Sequence, residues 1–302
     1  MTESPITPAA QTSDIVFVNG PVITVNARDD IAEALAVRGN RILRVGSRAY
    51  VEQTVGRDTR VIDLAAKAVI PGMTENHIHM TNSPQRNWVD CSFPACRSIP
   101  EIAELIAARV RETPDGEWVL ARGFQATRLV ERRNPNRRDL DSVSPNHPVG
   151  ISNREGMGWT FNTPGLRRIG VQDDTPDPPG GPMERDTEGL PLGPMWDNTR
   201  TVFINPSLPK HSVEDLMSGY RWIAGQLNRY GVTTAFEAAI RNRQETVAWQ
   251  RLRRDQPLTI RVVMGPYPLH GDAWDPNGTP GKIFDTGFAT NFGDVWLKLG
   301  AL

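Results

Sequence analysis

The sequence predicts an α/β fold in which a small β domain precedes a barrel or doubly wound sheet of parallel strands. Residues 14–70 contain short apolar runs separated by turn residues, which is typical of a small β domain. Pro71-Gly72 then interrupts the pattern. Beyond it, runs of strand length alternate with helical periodicity, which indicates parallel strands joined by crossover helices.

The predicted β domain contains two strong turn signals, Asn19-Gly20 and Gly39-Asn40. Each is flanked by apolar runs, so each predicts a hairpin. Residues 1–13 precede the domain and have neither the basic start nor the apolar core of a signal peptide, so we expect a disordered tail. The predicted strands are 15–18, 22–25, 34–37, 41–45, 61–64 and 68–70.

Residues 71–302 are assigned to the second domain. Ser98 with Glu101, and Ser212 with Asp215, are capping pairs that predict helix starts, and Gly231 predicts the end of the second helix. Residues 173–194 are rich in Pro and Gly and predict a long loop, either a lid or a disordered segment. Strands are predicted at 73–79, 117–121, 148–152, 232–236, 259–264 and 295–299, and a third helix at 245–254.

Charge and composition exclude several classes of partner. The 34 basic and 35 acidic residues are interspersed and leave no broad basic face for nucleic acid. No run approaches the roughly 18 apolar residues that span a bilayer. Cys91 and Cys96 have a spacing that fits neither a zinc knuckle nor a redox pair. We expect a soluble cytoplasmic protein with a small-molecule substrate and no nucleic-acid or membrane partner; a homo-oligomer stays open.

The segment richest in chemistry is Pro71 to His79, PGMTENHIH. Side chains at i and i+2 of a strand project to the same side, so His77 and His79 present two imidazoles together while Ile78 faces the other way. Neutral imidazole is a ready ligand for zinc. A His-x-His pair alone is more often surface or hydrogen-bonded structure, but here it lies at the end of a strand, where barrel enzymes place catalytic groups.

The run VIPGMTENHIHM resembles the signature with which the amidohydrolase superfamily begins its barrel. ALAVRGNRILRVG resembles a strand pair of that superfamily's small β domain. GEWVLARGF, NHPVGI, DTPDPPGG and YGVTTAFEAA are similar to the branch that includes N-substituted formamide deformylases and related metal-dependent hydrolases. The resemblance extends from about Asp14 to Leu302.

The resemblance implies a (β/α)8 TIM-type barrel preceded by a small β-sandwich domain. It implies one or two divalent metal ions, usually zinc, with His77 and His79 as ligands from the first barrel strand. The implied reaction is hydrolysis of a non-peptide C–N bond in an amide, formamide or cyclic amide by a metal-activated water. The loop at 173–194 is then expected to cover the substrate.

Two residues depart from the family pattern. Glu75 stands where the family has Asp, and Met157 stands where it commonly has His. Among the remaining candidates, Glu237 follows the predicted strand 232–236 and could be an acid–base or metal-binding carboxylate, with a structural role about equally favoured. His270 lies near another strand end, with a weaker claim to the site.

The chain ends at VWLKLGAL, where related proteins continue with a lysine, further histidines and an aspartate. The barrel and its metal ligands are therefore expected to be incomplete. A truncated, non-catalytic fragment or binding remnant is the alternative to an active enzyme. An NAD-dependent oxidoreductase is set aside, because no G-x-G-x-x-G follows a strand.

Overall fold

A computed structural model of the chain describes residues 11–266 and 289–300. The described residues divide into two compact units. One comprises 11–75 with Tyr230–Thr234, and the other comprises 76–229 with the residues from Ala235 onward. No helix of the described ranges is long and apolar enough to cross a membrane.

The first unit contains a four-stranded sheet in the order β5-β4-β1-β6 and a two-stranded sheet of β2 and β3. Its one helix, α1, spans Arg48–Glu52 and packs its buried Val51 into the same core as Val16 and Ala36. The six strands are β1 Ile15–Val18, β2 Val22–Ile23, β3 Ile31–Ala32, β4 Ala34–Arg38, β5 Arg41–Gly46 and β6 Arg60–Asp63.

Only one of the two predicted hairpins forms. β4 and β5 pair antiparallel around Gly39, whose φ of 58° a glycine adopts without strain. The hairpin predicted at Asn19-Gly20 is wrong, although Asn19 does turn with a φ of 61°. Both edges of β1 are taken by β4 and β6, so β2 pairs with β3 instead. These partners are distant in sequence, and a local turn signal does not detect them.

The second unit contains a six-stranded sheet in the order β12-β13-β11-β10-β9-β8. β8, β9 and β10 pair in parallel, and the remaining pairs are antiparallel. The sheet is therefore mixed, unlike the purely parallel sheet that the alternation of elements predicted. Its strands are β8 Val89–Asp90, β9 Val119–Phe124, β10 Val149–Asn153, β11 Gly158–Phe161, β12 Met183–Arg185 and β13 Pro191–Trp196.

Both faces of this sheet are covered. Val119 and Ala121 of β9 belong to one buried cluster together with Ile102 and Ile106 of a helix, α2. Leu120, between them, belongs to the other cluster. The Ser98 hydroxyl accepts the Glu101 N–H at the start of α2, so the predicted helix start is confirmed. Four helices accompany the sheet: α2 Ile99–Val110, α3 Arg137–Asp141, α4 Thr163–Arg168 and α5 Asn205–Ser207.

The Pro/Gly-rich stretch 173–194 differs from the predicted structureless loop. Part of it forms β12 and the start of β13, which pair antiparallel and join the six-stranded sheet through β11. Arg185 donates to Asp177 Oδ1 at 2.7 Å and to the Thr175 carbonyl at 2.6 Å. These hydrogen bonds organise the segment, which composition alone did not indicate.

A second four-stranded sheet, in the order β16-β15-β14-β7, carries the histidine pair. β15 and β16 pair in parallel. Ser212 and Asp215 exchange hydrogen bonds at the start of α6, which confirms this capping pair. The elements are β7 Met73–Ile78, α6 Val213–Arg229, β14 Val232–Ile240, α7 Arg243–Asp255, β15 Arg261–Pro266 and β16 Leu297–Leu299. The complete eight-stranded barrel and the β-sandwich stay predictions.

Candidate functional site

The two histidines singled out in the sequence lie next to each other. His77 is in β7, and His79 directly follows the last residue of the strand, Ile78. Their ring centroids are 5.2 Å apart, and the ring planes make an angle of 77°. Both imidazoles are exposed, whereas Ile78 is half-buried. This is the arrangement that strand alternation predicts for residues i and i+2.

The environment of His79 favours a neutral imidazole. Partial burial lowers the pKa of His79, and the nearby positive charge of Arg241 and the neighbouring His77 lower it further. A neutral imidazole has a free nitrogen lone pair, which is the form that binds a metal ion. The lowered pKa therefore favours, at neutral pH, the neutral form of His79 that can bind a metal ion.

Beyond His79 the chain enters a 3-10 helix, Met80–Asn87, whose first turn is hydrogen-bonded to Glu237. The Thr81 N–H donates to Oε2 of Glu237 at 3.0 Å, and the Ala239 N–H donates to Oε1 at 3.4 Å. The Glu237 side chain is fully buried. Burial raises the pKa of this carboxyl to about 8, although the two backbone hydrogen bonds act in the opposite direction. At neutral pH the group is mostly an uncharged acid.

The position of Glu237 differs in one respect from the sequence analysis. We expected β14 to end at Phe236, with Glu237 just beyond it, but the strand continues to Ile240. Glu237 therefore lies inside the strand. Its role as an acid–base group or metal ligand stays a prediction.

Arg241 connects the same turn to the start of α7. Its Nη1 donates to Thr81 Oγ1 at 3.0 Å and to Asn82 Oδ1 at 3.3 Å. Its backbone N–H donates to Oε2 of Glu245 at 2.6 Å. Asn242 caps α7 by accepting the N–H of Glu245 at 3.1 Å. The residues after His79 are thus held by hydrogen bonds from both β14 and the loop that follows it.

The sequence analysis did not identify Thr81, Arg241 or Glu245. For Glu245 a signal existed, since Asn242 followed three residues later by Glu is a capping-box spacing. Arg241 and Thr81 are 160 residues apart in the chain, and no local pattern pairs them. Only the neighbouring positions of β7 and β14 in one sheet reveal the contact.

Met157, and His147 as a further histidine of the chain, make contacts with residues outside the histidine pair. The His147 ring is buried and lies 3.3 Å from the Thr113 carbonyl oxygen, a structural contact. Met157 is exposed, and its sulfur accepts from Arg200 Nη1 at 3.3 Å. Glu75 is half-buried in β7. His270 lies outside the described residues.

Cys91 and Cys96 are buried free thiols. Burial raises the pKa of both thiols, so neither is a thiolate at neutral pH. They pack in the cluster under α2, as ordinary core thiols.

Two imidazoles suit a divalent metal such as zinc in chemical kind. Their number is below the three or four protein ligands that zinc usually requires. Within residues 11–266 and 289–300, no group of three or more His, Cys, Asp or Glu side chains could hold a metal ion. The described residues therefore fit a part of a metal site, supplied by His77 and His79.

Residues 60–302 match the model of the amidohydrolase family. The chain belongs to this family. The predicted resemblance to the superfamily, and to its branch of formamide deformylases, is confirmed. It rests on N-substituted formamide deformylase of Arthrobacter pascens, which is 31% identical over 76% of this chain and 43% of its own length.

Further relatives extend the likeness. Protein LONG AFTER FAR-RED 3 of Arabidopsis thaliana is 27% identical over 76% of this chain and 39% of its own length. The crystal structure of an uncharacterized metal-dependent hydrolase from Pyrococcus horikoshii OT3 superposes with a TM-score of 0.66, 19% identity, and coverage of 94% of this chain and 53% of that chain. At this identity the likeness to this structure concerns the fold alone. The chain spans less than half the length of these two curated relatives.

Proposed function

We propose that this chain acts in a metal-dependent hydrolase that cleaves a non-peptide C–N bond of a small amide, formamide or cyclic amide. The observation that carries the proposal is the pair of exposed, adjacent imidazoles of His77 and His79, 5.2 Å apart at the end of β7 in an amidohydrolase-family chain. The similarity to a formamide deformylase favours N-substituted formamides as the first substrates to test.

His77 and His79 would hold the metal, for which zinc is the ion we propose. When bound, such a cation polarises the scissile carbonyl and lowers the pKa of a water molecule. The chain's own contribution is orientation. Thr81 follows the second histidine closely, and its N–H bond to Glu237 at 3.0 Å fixes the backbone at the exit of β7. The lowered pKa of His79 keeps that ring available as a ligand.

The test is metal content together with hydrolysis. The full-length protein, purified without chelator, is analysed for zinc by mass spectrometry and assayed for formate release from N-phenethylformamide. We expect stoichiometric zinc and measurable turnover in the wild type. His77→Ala and His79→Ala should each lower the zinc content at least tenfold, because loss of a ligand removes a large part of the binding free energy.

His211→Ala is the matched control. His211 is half-buried beside Trp88, with ring centroids 6.4 Å apart, and it does not belong to the pair. Its substitution should leave the zinc content unchanged. The proposal fails if the wild type binds no zinc or other divalent metal, or if the His77 and His79 variants retain as much metal and activity as the His211 variant.

A further inference from the structure

The Arg241 guanidinium is hydrogen-bonded to the residues that follow the histidine pair. Arg241 is half-buried, and its Nη1 is held by two neutral oxygens, Thr81 Oγ1 at 3.0 Å and Asn82 Oδ1 at 3.3 Å. Within the described part of the chain Arg241 forms no close ion pair, although its charge acts at longer range on the Glu237 and Glu245 carboxyls. A half-buried cation of this kind loses hydration without a matching anion.

The two carboxyls near Arg241 are occupied by other donors. Glu237 accepts the N–H groups of Thr81 and Ala239. Glu245 accepts the backbone N–H of Arg241 itself and the side-chain amide of Asn242. Both carboxyls feel the charge of Arg241, but neither forms a close ion pair with its guanidinium, which can therefore bind an external anion directly.

The Arg241 guanidinium is bound to the segment that directly follows the histidine pair. Thr81 and Asn82 are the second and third residues after His79, and they hold Nη1 in place. Guanidinium groups bind carboxylates through paired N–H donors, and two bonds to neighbouring oxygens preorganise the group for that purpose.

We propose that Arg241 is a specificity-determining residue that binds a carboxylate group of the substrate beside His77 and His79. The inference rests on the proposed function and deepens it, since it names the preferred substrates as carboxylate-bearing amides. A cation placed next to a metal-binding pair would repel a bound metal ion, and an anionic substrate group offsets this repulsion.

The test uses two formamides that differ in one group. N-Formyl-L-phenylalanine has the skeleton of N-phenethylformamide with an added carboxylate. We expect the full-length wild type to hydrolyse the anionic compound with the higher kcat/KM. Arg241→Gln should lower kcat/KM about 10- to 100-fold for N-formyl-L-phenylalanine, mainly through KM, and less than about threefold for N-phenethylformamide. Arg241→Lys should retain part of the preference.

Arg243→Gln is the matched control, because Arg243 is an exposed arginine at the start of α7. Arg243→Gln should leave kcat/KM unchanged for both formamides. Thermal unfolding of each variant separates a folding defect from a loss of recognition. If Arg241→Gln lowered kcat/KM equally for both formamides, or if the wild type did not prefer the anionic one, the inference would be overturned while the proposed function stood.

Calorimetric titration with N-formyl-L-phenylalanine tests the carboxylate site independently of hydrolysis. If the wild type hydrolysed neither compound, binding of this compound to the wild type and its loss in Arg241→Gln would still support the carboxylate site. Equal binding to both proteins, or binding to neither, would overturn it.

Discussion

Replacement of Glu237 by Gln should alter the pH dependence of stability, and not merely its level. The carboxyl is fully buried, and its pKa is raised to about 8 by that burial. An acid with a raised pKa binds its proton more tightly in the folded state than in the unfolded state. The contribution of this group to stability is therefore greatest below the unfolded-state value of 4.5 and is lost as pH rises towards 8.

The magnitude follows from the size of the shift. Between the unfolded-state pKa of 4.5 and the folded-state pKa of about 8, each unit is worth ~1.4 kcal/mol. The wild type should lose on the order of 4 kcal/mol of unfolding free energy from this group between pH 4.5 and pH 8.5. Gln has no charge to bury, so Glu237→Gln lacks this loss. Its amide NH2 cannot accept a hydrogen bond, which costs about 1 kcal/mol at every pH.

Urea denaturation at pH 5.5, 7 and 8.5 measures both effects. At pH 5.5 the loss in the wild type and the cost of the Gln amide nearly cancel, so the two proteins should be about equally stable, and at pH 8.5 the variant should be clearly more stable. Glu104→Gln, on the exposed side of α2, is the control and should run parallel to the wild type. If the Glu237→Gln and wild-type curves were also parallel, the carboxyl would not be protonated at neutral pH, and the reasoning would be refuted.

Three substitutions test the packing around the two sheets by urea denaturation. Asn162→Ala should cost about 3–5 kcal/mol, because four hydrogen bonds of a buried amide are lost; a cost below 1 kcal/mol would contradict this. Trp249→Ala should cost about 3–5 kcal/mol through the cavity left beside Tyr220, whose ring stacks on Trp249 at 4.1 Å. Gly193→Ala should cost at least about 2 kcal/mol, since its φ is 107° and a Cβ would collide with a backbone carbonyl. Gly189→Ala, with a φ of 83° but open space, should cost only about 1 kcal/mol, and equal costs would refute the steric argument.

The sequence predicted elements best where the deciding contacts are local. The start of α2 at Ser98 depends on a hydroxyl and an N–H three residues apart, so it can be predicted from the local sequence. The prediction of the turn at Gly39 was confirmed for the same reason. The turn at Asn19-Gly20 has an equally strong dipeptide, but its outcome depends on β4 and β6 occupying both edges of β1. Long-range strand competition of this kind is not encoded in a four-residue window.

In the candidate site, too, the local contacts could be predicted from the sequence and the long-range contacts could not. Adjacency of His77 and His79 follows from strand alternation, and it could be predicted from three consecutive residues. The contacts of Glu237 and Arg241 with Thr81 span more than 150 residues, with β8 to β13 lying between them in the chain. Sequence spacing gave no reason to join these groups. It placed Glu237 just beyond a strand that continues to Ile240 in the structure, and it could not show that the carboxyl is buried.

The burial of Glu237 also bears on the charge of Arg241. An ionised Glu237 close to the guanidinium would offset much of its positive field, and an external carboxylate would gain little by binding there. Because burial keeps the acid mostly protonated at neutral pH, Glu237 offsets little of the positive field of Arg241. The burial that keeps Glu237 protonated thus leaves the positive field of Arg241 unopposed by this carboxyl. Under the proposal of a carboxylate site, the hydrogen bonds of Thr81 hold both Glu237 and Arg241 at the turn that follows the imidazole pair.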